Sequence, residues 1–296
     1  MQHYLLKEKH SYEEWRAQKL YNYPNDAQQL IIELNNPINL MDKELLSIKS
    51  SCSKTNMAIY RCTKNIQNDR NTVTSIARQL GMHQLDANVC ADEDRISVIT
   101  DSGAQASPYI PYTNKPLNWH TDGYYNAHEQ RIHAFIMHCA RPARSGGENM
   151  YLDPEIAYIL LRDQNPDYIS ALMQDDVMRV PANKLNEKQI RPAQSGPVFY
   201  IDDTSQALCM RYTARKRNIV WKQDKAVQHA LAFLHDVLQD SPYIFHYSLK
   251  AGEGVICNNV LHNRSAFNDD QDESKKRMLF RGRFYNRVTS NQNTLN

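Results

Sequence analysis

The sequence predicts an α+β protein with a mainly β core, helices at its N-terminal end and further helices inserted midway. Three observations carry this. Runs rich in Val, Ile, Phe and Tyr recur from residue 56 onward, amphipathic stretches with apolar residues at helical spacing precede and interrupt them, and short connections join them without a low-complexity linker or an internal repeat. At 296 residues, 41% of them hydrophobic, the chain has ample material for a core. We expect one domain: a helical N-terminal part over residues 1–94, a β core with helical insertions over 95–288 and a disordered tail over 289–296.

The elements follow in order. From Ser11 to Thr55 the pattern is helical; "DAQQLIIELNN" and "LMDKELLSIKSSC" read as two helices parted at Asn36-Pro37. "NMAIYRC" is a short strand, and "NTVTSIARQLGMHQLD" a helix stopped by Gly81. "RISVIT" and "RIHAFIMHCAR" are strands. "DPEIAYILLRD" opens with Asp153 as N-cap and Pro154 at the first helical position. The clearest amphipathic helix is "DKAVQHALAFLHDVLQDSP", with Val227, Leu231, Leu234 and Leu238 on one side. "YIFHYSLK", "VICNN" and "KKRMLFRGRFYNRV" close the chain as strands.

Composition excludes several classes. A net charge of +2 gives no global attraction to nucleic acid or acidic membranes. The six cysteines (Cys52, Cys62, Cys90, Cys139, Cys209 and Cys257) form no CxxC pair and read as buried thiols of a reducing compartment. No signal peptide is read, and no apolar run approaches the ~20 residues of a membrane span. A cytoplasmic protein acting on a small molecule is expected, with a homo-oligomer left open.

The chemistry concentrates in "NKPLNWHTDGYYN", which sets His120 and Asp122 two residues apart. A lone HxD means little in a chain with eleven histidines. Two histidines and a carboxylate on one face of an iron, however, make the ligand set of non-haem Fe(II) oxygenases. His262, after a turn and a buried-looking strand in "GEGVICNNVLHNRSAF", can supply the third ligand. On the last strand, alternation puts Met278, Phe280 and Phe284 on one face and Arg277, Leu279, Arg281 and Arg283 on the other. Three arginines on one face suit a pocket for acidic ligands or a solvated edge. His133 and His138 lie in an apolar strand and read as core histidines. Arg211, Arg215, Lys216 and Arg217 read as a solvated loop, although Arg211 and Arg215 can also reach an anionic substrate. Trp119, Tyr124 and Tyr125 either pack or wall a substrate cavity.

"YTNKPLNWHTDGYY", "MHCARPARSGGENMYLD", "VLHNRSAF" and the Arg277-x-x-x-Arg281 spacing occur in this order. On them the chain, from about Arg95 to Val288, resembles the taurine dioxygenase / gamma-butyrobetaine hydroxylase family of Fe(II)- and 2-oxoglutarate-dependent oxygenases. The resemblance implies a double-stranded β-helix (jelly-roll). It implies His120, Asp122 and His262 as iron ligands and O2 as co-substrate. Arg277 then takes the distal carboxylate of 2-oxoglutarate, with Arg281 nearer the iron and Arg283 farthest from a role. Where family members carry Thr as a second donor this chain has Asn149, whose amide can also donate. Gly146 and Gly147 permit a tight turn or close backbone approach. The implied activity is oxidation of a C–H bond in a small polar, acid-bearing metabolite. The rivals are a non-catalytic jelly-roll binding module and a hydroxylase of a protein or peptide.

Overall fold

A computed structural model of the chain describes residues 2–63, 69–87, 92–103, 110–185, 188–215 and 217–289. Cys90, Lys216 and the tail from 290 onward lie outside them. Two sheets face each other, and helices cover their outer faces. We number their ten strands in chain order: β1 (Ile31–Leu34), β2 (Met57–Cys62), β3 (Ser97–Ile99), β4 (Leu117–His120), β5 (Ala134–Arg141), β6 (Asn149–Leu152), β7 (Phe245–Tyr247), β8 (Glu253–Cys257), β9 (Leu261–Arg264) and β10 (Met278–Phe284). The larger sheet runs β1-β2-β8-β5-β10-β3 and the smaller β7-β6-β9-β4. Every pairing is antiparallel except β1 with β2.

Between the sheets Phe135, Met137, Val255 and Leu279 pack on Tyr151, Phe245, Tyr247 and Val260. Behind the larger sheet, α2 (Asp42–Thr55) and α3 (Asn71–Gln79) bury Ile48, Val73 and Ile76 against Ile136, Phe280 and Phe284. Phe280 and Phe284 thus take the helix-facing side of the last strand, as alternation predicts. Behind the smaller sheet lie α1 (Lys9–Leu20), α4 (Pro154–Gln164), α5 (Pro166–Leu172) and α6 (Lys225–Asp240). Asp153 and Asp224 cap α4 and α6 through their carboxylates, each accepting from a backbone N–H two residues on. On α6, Val227, Ala230, Leu234, Val237 and Leu238 are buried and Leu231 only partly.

The expected helix over "DAQQLIIELNN" is corrected. Asp26 caps only a single 3-10 turn, Ala27–Leu30, and the next four residues are β1, which pairs in parallel with β2 from Ile31↔Ile59 to Leu34↔Cys62. The β-branched Ile31 and Ile32 suit a pleated edge strand. Part of the N-terminal region therefore builds the sheet rather than only covering it.

Candidate metal centre and co-substrate pocket

His120 ends β4 and His262 lies on β9, and the two are direct cross-strand partners. Asp122 follows two residues after His120, in a turn that Gly123 completes at φ 67°. All three are buried, and their candidate ligand atoms lie within 4.8 Å of one another. Local bonds orient each ring. His120 Nδ1 sits 2.9 Å from the Asn118 carbonyl and His262 Nδ1 2.9 Å from the Val260 carbonyl. A carbonyl can only accept, so each Nδ1 carries the proton and each Nε2 keeps its lone pair for a metal. Burial, and for His120 also the neighbouring His262, pulls the imidazoles down, His120 to about 3, so both are neutral. Burial pushes the Asp122 carboxyl up, but Arg281, Arg283 and the two imidazoles outweigh it and hold it well below the usual carboxylate range. Arg281 lies 3.4 Å from Asp122 Oδ1, while Asp122 Oδ2 is buried with no hydrogen-bond partner. Two neutral imidazole nitrogens and one orphaned carboxylate oxygen, with no thiolate among them, fit Fe(II).

Asn259, missed in the sequence, clamps the Asp122 turn. It has a left-handed backbone at φ 49°. Its side chain accepts from Asp122 N at 2.7 Å and donates to the carbonyls of Asp122 at 3.0 Å and Ile132 at 2.6 Å. A second brace is the segment after Met210: Thr121 N donates to Tyr212 O, Ala214 N to Trp119 O, and Thr213 bridges to His120.

Arg281 and Arg277 are four residues apart, roughly 13 Å along a strand, a span that a small dicarboxylate and two arginine side chains can fill. Arg277 is buried, its NH1 has no partner, and it stacks 5.0 Å from the Phe267 ring centroid. Burial pulls its pKa down, which marks a cation short of counter-charge. A cavity of about 180 Å³ is lined by Arg277, Asn149, Gly146, Gly147, Cys139 and Leu279, among others. Asn149 lines it while giving one N–H to the Asn263 carbonyl at 2.7 Å. Gly146 and Gly147 are left-handed at φ 73° and 76°; a Cβ on Gly146 would meet the Ala266 carbonyl oxygen at 2.3 Å. A larger groove of about 510 Å³ between α2 and β1 holds no His, Asp or Glu in its lining, so chemistry rather than size locates the site.

Two more residues here escaped the sequence reading. Tyr151, opposite His262 across β6 and β9, buries a hydroxyl with no partner. It shares a face of β6 with Asn149, two residues back, and that alternation was its only sequence signal. Arg264, two residues after His262, stacks 4.9 Å from the Phe267 ring centroid and donates to the Thr113 and Lys115 carbonyls at 2.7 and 2.6 Å. Arg283 turns elsewhere: it pairs with Asp86 and donates to Tyr125 Oη at 2.9 Å. Arg211 is buried and donates to the Met178, Gly196 and Gln194 carbonyls, whereas Arg215 is exposed and reaches Tyr124 Oη at 3.3 Å. His138 is a fully buried core histidine, 3.0 Å from Tyr60 Oη, and His133 lies 3.7 Å from Asp202. Neither joins the metal cluster.

The chain is similar to several known proteins. The curated uridine-5'-phosphate dioxygenase of an Amycolatopsis species is 29% identical over 164 residues, 52% of this chain, and the match spans just over half (56%) of that relative. A putative alpha-ketoglutarate-dependent taurine dioxygenase from Burkholderia xenovorans superposes with a TM-score of 0.58 at 15% identity over 86% of each chain. A non-heme iron oxygenase solved with Fe, succinate and (3S)-hydroxy-L-Arg gives 0.61 at 15% identity, over 85% of this chain and 82% of its own. These similarities fix the fold as the jelly-roll of such oxygenases. The profile of the Taurine catabolism dioxygenase TauD, TfdA family matches residues 62–283, three quarters of the chain, and the chain belongs to that family.

Proposed function

We propose that the protein is an Fe(II)- and 2-oxoglutarate-dependent dioxygenase that oxidises a C–H bond of a small acid-bearing metabolite. The observation that carries this is the complementary set of orphans: Asp122 Oδ2 beside two imidazole Nε2 atoms at one end, Arg277 NH1 and Tyr151 Oη toward the other. Buried polar groups are rarely left unpaired, so such a set marks ligands of matching chemistry.

His120, Asp122 and His262 would hold the iron. Fe(II) with 2-oxoglutarate and O2 supplies an oxidant able to attack an unactivated C–H bond. The chain's own residues do the rest. Arg277 receives the distal carboxylate in its planar fork, with the Tyr151 hydroxyl as a further donor. Arg281 keeps Asp122 ionised. Phe135, whose ring lies 4.8 Å from that of His262, keeps water from the back of the metal site. The relative that acts on uridine 5'-phosphate, and the neighbours solved with hydroxylated asparagine and arginine, support a small polar substrate. The test is succinate release from 2-oxoglutarate, measured with Fe(II) and a panel of small acids and their amides. No turnover above the uncoupled background for any acid, with turnover on amides, would reverse the substrate reading; none under any condition would reverse the whole reading.

A further inference from the structure

We propose that the substrate is a phosphate monoester, and that Arg215, Arg131 and Arg211 hold its dianionic head beside the Tyr124 hydroxyl. This rests on the metal site described above. The segment that braces that site carries two of the cations. Thr213 bridges to His120, and Arg211 and Arg215 stand two residues to either side of it. Each is within roughly 7 Å of it along the backbone. Arg215 NH1 lies 3.3 Å from Tyr124 Oη, and Tyr124 is two residues beyond Asp122. Gly196 locates the third cation: a Cβ there would meet Arg211 NH1 at 3.6 Å and Arg131 NH2 at 3.8 Å, so the two guanidinium groups approach one small space. Arg131 itself lies flat on Tyr200, 3.9 Å from the ring centroid.

The group is short of negative charge. Among the described residues, none of Arg131, Arg191, Arg211 and Arg215 pairs with a carboxylate. Arg211 has only carbonyls for partners, and burial together with Arg131 and Arg191 pulls its pKa down to about 10. Asp202 is engaged by Ser205 and faces His133. By contrast Arg281 and Arg283 are compensated by Asp122 and Asp86. Arginines that repel one another persist beside a reactive site when a ligand of opposite charge binds there. One carboxylate would offset one of them; a phosphate monoester brings a charge of about −1.5 to −2 and three acceptor oxygens, a match for several guanidinium forks. Arg131 and Arg215 are at least partly exposed and, among the described residues, pair with no carboxylate, which leaves them able to bind it, and Arg211 supplies fixed positive charge beside them.

Inorganic phosphate is the probe. It is titrated by calorimetry, in chloride buffer, into the full-length metal-free wild type and into Arg277→Ala, Arg215→Gln and Arg131→Gln. One phosphate site is expected in the wild type and in Arg277→Ala, with binding at least tenfold weaker in both other variants. Arg131 is half-exposed and, among the described residues, makes no hydrogen bond to the backbone, so its variant is expected to stay folded, which unchanged melting checks. Absence of a phosphate site in the wild type, its loss in Arg277→Ala, or equal binding by Arg215→Gln and Arg131→Gln would each overturn the proposal. None of these readouts uses iron or turnover, so the proposal can fail while the dioxygenase reading stands, and the reverse.

Discussion

At the residue scale the site is built from groups whose partners are missing. Each candidate ligand histidine gives its Nδ1 proton to a carbonyl two residues back, so the ring orientation is fixed by the protein itself. His120→Ala and His262→Ala should therefore abolish Fe(II) binding and leave the fold intact, since each removes the imidazole donor of a single backbone carbonyl. Equilibrium dialysis against Fe(II) under argon checks this; wild-type affinity in either variant would remove that histidine from the metal. At the other end, Arg277→Ala should weaken 2-oxoglutarate far more than iron, by about 1.5–3 kcal/mol for each charge-assisted hydrogen bond lost. Arg277→Lys should recover only part, because a point charge lacks the fork. Tyr151→Phe should cost less than Arg277→Ala, as it removes one neutral donor. A larger loss in Arg283→Ala than in Arg277→Ala would contradict the assignment, because Arg283 is already paired with Asp86.

At the scale of elements, close approach between strands sets what each position tolerates. Gly254 on β8 lies under the Tyr60 ring of β2: a Cβ there would meet Tyr60 Cζ and Oη at 2.3 Å and the Met137 carbonyl at 2.6 Å. Tyr60 cannot swing away without breaking its bond to His138. Gly254→Ala should thus destabilise by overpacking, about 1–3 kcal/mol, read as a lower urea midpoint; an unchanged midpoint would show that the sheet can spread here. The same cross-strand logic explains what was legible. His120, Asp122 and His262 stood out because a short motif and one distant histidine define a ligand set, and Arg277 because alternation on one strand suffices. Tyr151 and Arg264 matter through the β6–β9–β4 register, which no local pattern announces. The segment Ile31–Leu34 was misread for a related reason. Leu30, Ile31 and Leu34 fit helical spacing, and the partner that makes them a strand lies 28 residues away, in Ile59–Cys62.

At the scale of the whole molecule, the N-terminal helix must be tied to a helical layer contributed by residues more than a hundred positions downstream. The tie is ionic and buried. Lys19, at the end of α1, pairs with Asp153 at 2.7 Å and with Glu155 at the start of α4. Asn56 donates to Asp153 at 2.9 Å and Tyr4 to Glu155 at 2.5 Å. Burial pushes the Asp153 carboxyl up and Lys19 works against it; Glu155 is held down despite burial, by Lys19 first. A buried pair of this kind adds little over an apolar packing, but removing one partner strands the other. Lys19→Met should therefore cost about 3–5 kcal/mol at neutral pH, since two carboxylates lose the cation they share. The sign with pH follows. Without Lys19 both carboxyls have folded pKa values above their unfolded ones, so the folded state takes up protons and gains stability as pH falls toward the carboxylate range. The deficit of Lys19→Met against wild type should shrink between pH 7 and pH 5 in urea titrations, and a second change, Glu155→Gln, should recover part of it at pH 7. A deficit that is constant with pH would mean that the lysine acts through its packed methylene stem and not through its charge.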